Sequence, residues 1–141
     1  MKRFRIKTTF GAHSIICFKG EKLSFSYNEL QSSLKEKGES YFFYKISLYR
    51  TEKKNLLWHI KIFSSEPDEN GHSFAGYSKR SRDILIELQN FNVLFGLKLP
   101  DINDPEYNKK KEYKLQYARN IYNKTKSDCL SKVNLLNFNL D

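Results

Sequence analysis

Two cysteines, three prolines and six glycines are all that this 141-residue chain contains of the residues that staple, break or loosen a fold. Cys17 and Cys129 stand far apart and share no short spacing, which excludes a disulfide framework and a zinc pattern. No low-complexity tract, linker or internal repeat interrupts the chain. No apolar run approaches the ~18–20 residues of a membrane span. Residues 1–25 carry charges throughout, so no secretory leader is expected there. These absences predict a cytoplasmic, reducing setting, with no membrane partner. Alanine is nearly missing too, at 12, 75 and 118 only. The abundance of Lys, Asn, Ile, Phe and Tyr reflects an AT-rich coding bias, of the kind met in some phages and mobile elements, and carries no chemistry of its own.

What is present is aromatic and basic. Hydrophobic residues make up 39% of the chain and aromatic ones 15%. That is enough, at this length, for one α+β domain over residues 1–141 with a core of its own. The net charge of +9 points to nucleic acid, anionic lipid or an acidic protein surface as partner. Lysines outnumber arginines nineteen to six. This tempers the inference, because arginine makes the better bidentate phosphate contact.

Three segments alternate with period two, the signature of strands with unlike faces. In 2–10, Phe4, Ile6, Thr8 and Phe10 oppose Arg3, Arg5, Lys7 and Thr9. In 41–50, Phe42, Tyr44, Ile46 and Leu48 oppose Tyr41, Phe43, Lys45, Ser47 and Tyr49. In 56–63, Leu56, Trp58, Ile60 and Ile62 oppose Leu57, His59, Lys61 and Phe63. A hairpin is expected over 2–19, turning near Phe10 and Gly11, with a further turn at 19–22. A capping box of Ser26 and Glu29, stapled by Phe25 and Leu30 and stopped at Gly38, predicts a helix over 27–37. Residues 65–78 read as loop. A second helix is expected from Ser78 or Ser81 to about Phe95, and a third from the Asp104 cap and Pro105 to about Lys124. The tail suits a helical turn at Cys129, Leu130 and Val133, or an edge strand at Leu136, Phe138 and Leu140. The predicted fold is therefore α+β, an antiparallel sheet of about four to five strands with helices on one face, in the order ββαββαα.

Two groups of residues are the candidate sites. One is a basic-aromatic sheet face with Arg3, Arg5, Lys7, Tyr41, Phe43, Lys45, Tyr49, His59, Lys61 and Phe63, suited to a phosphate backbone with splayed bases. The competing possibility is that Tyr41, Phe43 and Phe63 are core, covered by the third helix or a second protomer. The other group is Ser78, Lys79, Arg80 and Arg82, at the start of the second helix, where free N–H groups favour phosphate. The run Lys109, Lys110 and Lys111, with Lys114, Arg119, Lys124 and Lys126, reads as a solvated face. No metal ligands, cofactor motif or nucleophile pattern is present. The expected function is a non-catalytic binding protein for single-stranded nucleic acid or a nucleotide. The alternatives are a phage-type inhibitor of a nucleic-acid-handling enzyme, and a toxin-type ribonuclease using His59, Lys61 and Arg82.

Overall fold

The computed structural model describes residues 1–9, 15–27 and 40–133. Five strands precede two helices: β1 Lys2–Lys7, β2 Ile15–Tyr27, β3 Phe42–Thr51, β4 Leu56–Ser64, β5 Ser73–Ser78, α1 Ser81–Gln89 and α2 Tyr107–Ser131. The strands form one antiparallel sheet in sequence order. This is an α+β fold.

The alternation of β3 and β4 decides what each face covers. Tyr44, Ile46, Leu48, Leu56, Ile60 and Ile62 are buried on one face, against Ile84 and Leu88 of α1 and Ala118, Ile121 and Tyr122 of α2. Burying each such aliphatic side chain is worth roughly 1.5–3 kcal/mol, so this layer is the principal store of stability. Two of its buried hydroxyls are satisfied: that of Tyr44 donates to the Val93 carbonyl at 2.8 Å, and that of Tyr122 to the Leu88 carbonyl at 2.5 Å. Glu69 fastens α2 to the loop before β5. Its buried carboxylate accepts from the Lys114 ammonium at 2.5 Å, the Ser64 hydroxyl at 2.8 Å and the Lys98 N–H at 2.8 Å.

The sheet curls, and the β1–β2 hairpin folds over the opposite face. Ile6, Tyr49 and Leu57 form a second buried cluster there, packed against Phe4, Ile16 and Phe18. The rings of Phe4 and Tyr49 meet edge to face at 4.9 Å. The end of β1 reaches β5. The Thr9 N–H donates to the Ser73 carbonyl at 2.9 Å, the Ser73 N–H donates to Thr9 Oγ1 at 2.9 Å, and the Ser73 hydroxyl donates to the Lys7 carbonyl.

The described elements run βββββαα; this differs from the expected ββαββαα by the added strand β5, while the expected first helix lies outside the described residues. Residues 19–22 are not a turn: β2 runs through them, with Gly20 opposite Thr51 and a register shift between Lys22 and Ser24. Ser26 is not a helix cap but a strand residue, its hydroxyl donated to Asp128. The helix expected over 27–37 falls, beyond Tyr27, outside the described residues, as do the turn at Phe10 and Gly11 and the tail from 134. The end of the expected 65–78 loop is β5, paired with β4. The first helix stops at Gln89, short of Phe95, while α2 continues to Ser131 and takes in Cys129 and Leu130. Asp104 accepts the Glu106 N–H at 2.8 Å in the turn before α2, two residues ahead of the Glu106 cap position.

Candidate functional site

Antiparallel register sorts the side chains of the helix-free face into rows. Tyr27, Lys45 and Lys61 stand abreast across β2, β3 and β4. Phe25, Ser47 and His59 form the next row, and Lys22, Tyr49 and Leu57 the one after. Phe43 and Phe63 pair at the other end, their rings stacked at 5.2 Å and 14°. The hairpin covers the Tyr49–Leu57 end. Phe25 and Tyr27 remain 44% and 45% exposed, while Phe43 and Phe63 are half-buried. The result is a trough of rings with lysines resting on them. Lys22 Nζ lies 4.6 Å from the Phe25 centroid, Lys45 Nζ 5.4 Å from the same ring, and Lys61 Nζ 5.2 Å from that of Phe63. Each such contact contributes about 0.5–1 kcal/mol at an exposed site, which partly offsets the repulsion between the ammonium groups.

The strands carry nine lysines and arginines and a single carboxylate, Glu21. Glu21 is already ion-paired with Arg50. Among the described residues, no ion pair engages Lys22, Lys45 or Lys61. The crowding has a titration signature. Burial, and then the charge of Lys45, push the Lys22 ammonium below its ordinary pKa. Burial and the charge of Lys61, reinforced by Lys45 and Lys22 and opposed by a hydrogen bond to the Lys7 backbone, push His59 down to about 4. His59 is therefore neutral at pH 7. Its Nε2 is buried with no hydrogen-bond partner among the described residues.

The register separates residues that alternation alone had grouped. Phe4 and Ile6 face Tyr49, so Arg3, Arg5 and Lys7 project from the other side of the hairpin, away from Lys45 and Lys61. Tyr41 lies just before β3 and lines a cleft of about 860 Å³ with Phe42, Glu69, Lys98, Lys114 and Tyr117. Ser78 ends β5, Lys79 and Arg80 lead into α1, and Arg82 lies in the first turn of that helix, which packs on the far face of the sheet. There the Ser78 hydroxyl donates to Asp83 Oδ2 at 3.1 Å and accepts the Arg80 N–H at 3.1 Å. An acidic residue thus already occupies the first turn that was to cradle a phosphate. In the basic run of α2, Lys110 pairs with Asp104 at 2.6 Å and Lys114 with Glu69 at 2.5 Å.

Lys22, Phe25 and Tyr27 were missed by sequence reasoning, because turn and cap signals at 19–29 masked the strand. The alternation of Phe25 and Tyr27 with Ser24 and Ser26 is the signal that was there to find. Among the described residues, no three His, Cys, Asp or Glu side chains gather as a metal site, and no helix is long and apolar enough to cross a membrane. Comparison with family models, with curated proteins and with solved structures returns no match.

Proposed function

We propose that the trough on β2, β3 and β4 binds single-stranded nucleic acid without catalysing a reaction on it. One observation carries this reading: Lys22, Lys45 and Lys61 converge on one surface between the rings of Phe25, Tyr27, Phe43 and Phe63, with no described carboxylate to neutralise them. Phosphates answer the lysines, and unpaired bases answer the rings at roughly 1–3 kcal/mol per stacked base. A duplex keeps its bases stacked on one another and leaves such rings without a partner, so the trough favours a single strand. A non-catalytic role is supported by His59, which is held neutral with a buried Nε2, and by Arg82, which lies on the helical side of the sheet away from His59 and Lys61.

Fluorescence anisotropy of labelled single-stranded and duplex RNA and DNA, at 50 and 200 mM salt, tests the proposal. The expected result is preferential binding of a single strand that weakens with salt. The combined Lys22→Gln, Lys45→Gln, Lys61→Gln variant should lower the salt slope by about 2, at roughly 0.7 per lost single-strand phosphate contact. Absence of binding to any strand at low salt would refute it.

A further inference from the structure

The cations that register excludes from the trough form a surface of their own. Arg3, Arg5 and Lys7 of β1 and Lys19 of β2 project from the same outer side of the hairpin, and all four are exposed. Arg3 stands directly opposite Lys19, and Arg5 opposite Cys17. Like charges placed opposite each other across two strands destabilise the pair, so a hairpin built for stability alone would alternate the signs. The one carboxylate in the described strands, Glu21, is taken by Arg50 of β3. Among the described residues, none of the four cations has an ion-pair partner. This face also differs from the trough in kind. Its apolar members are Ile15 and Cys17; the described rings of the hairpin, Phe4 and Phe18, are packed against each other and against Tyr49 on the inner side.

We infer that the outer face of the β1–β2 hairpin is a second phosphate-contact surface, which holds the backbone of a single strand long enough to overrun the trough. This rests on the proposed trough function and assigns a separate role to a separate surface. The trough would supply stacking together with charge, whereas the hairpin would supply charge alone. The hairpin contribution should therefore be indifferent to base identity and should exist only for long strands.

The test compares a labelled tetranucleotide with a labelled 20-mer of the same base, bound to the wild-type chain and to an Arg3→Gln, Arg5→Gln, Lys7→Gln variant across a salt series. For the wild type, the 20-mer should give the steeper salt dependence. The variant should lower the 20-mer slope by about 2, which narrows its loss of affinity between 50 and 200 mM salt about sixteenfold, and should leave tetranucleotide affinity within about twofold. An Arg3→Lys, Arg5→Lys variant, which keeps the charge, should retain the wild-type slope. Equal slopes for the two strand lengths on the wild type would overturn the inference whether or not the variants fold, and so would a 20-mer slope unmoved in the folded variant. In both cases tetranucleotide binding would leave the trough reading standing. Failure of the wild type to bind either strand would overturn both.

Discussion

Glu69 shows how one residue ties the helical layer to the sheet. Burial alone would raise its carboxyl pKa. Hydrogen bonds from Lys114, Ser64 and the Lys98 N–H, together with the charge of Lys114, outweigh burial and hold it below the usual carboxylate range. A carboxyl whose folded pKa is depressed contributes stability that is complete above its unfolded pKa and is lost as the pH falls through the folded value. The chain should therefore lose stability on acidification below the ordinary glutamate range. Glu69→Gln should flatten that part of the profile. At neutral pH it should cost on the order of 1–3 kcal/mol, because the partly buried Lys114 ammonium loses its carboxylate and keeps the Lys98 carbonyl. Urea denaturation at a series of pH values reads both effects, and a neutral-pH loss below about 1 kcal/mol would show that Glu69 is no anchor. None of this was legible in the sequence, where Glu69 sits in an acidic, turn-rich stretch that reads as solvated loop. A carboxylate buried to 1% exposure is recognisable only once its partners are assembled.

Strands and helices were legible to different degrees, for physical reasons. β3 and β4 announce themselves because one face is core and their period-two pattern is unbroken. The α2 helix announces itself through Asp104 and Pro105. β2 does not, because Lys19, Gly20, Glu21 and Lys22 carry turn chemistry in a strand. Gly20 is there for space: a Cβ at that position would lie 2.2 Å from the Arg50 carbonyl oxygen, a backbone atom that cannot swing aside. Gly20→Ala should therefore destabilise the protein by about 1–3 kcal/mol, the usual cost of forcing atoms into a filled position. Gly71, with nothing within 4 Å, serves as the contrast. At φ +88° it sits in the left-handed region, so Gly71→Ala should cost only the ~1–2 kcal/mol of that conformation. Thermal melts of the two variants check this. A Gly20→Ala protein as stable as the wild type would mean that β2 and β3 are not paired at this point. The mistaken turn also had a cost for the site, since it hid Lys22, Phe25 and Tyr27. β5 was hidden for another reason: Ser73, Gly76 and Ser78 resemble loop, and Gly76 is small because the Trp58 indole lies over it.

At the scale of the molecule, charge separates by layer. The strands carry cations almost alone, whereas α2 and the loops hold the carboxylates that pair with Lys98, Lys110, Lys114 and Lys132. Composition gave the net excess, and alternation placed part of it on the sheet. Only the register could show that Lys22, Lys45 and Lys61 lie in a ring-lined trough while Arg3, Arg5, Lys7 and Lys19 lie on the outer hairpin face, because that division depends on how β1 crosses back over Tyr49 and Leu57. The central claim is that the trough is where a single strand lies. Its most direct test is amide NMR mapping of the ¹⁵N-labelled chain titrated with a short single-stranded oligonucleotide. The expected result is perturbation centred on Lys22, Phe25, Tyr27, Phe43, Lys45, His59, Lys61 and Phe63, fading as salt is added. Shifts confined to Ser78, Lys79, Arg80 and Arg82, or no shifts at low salt, would contradict it.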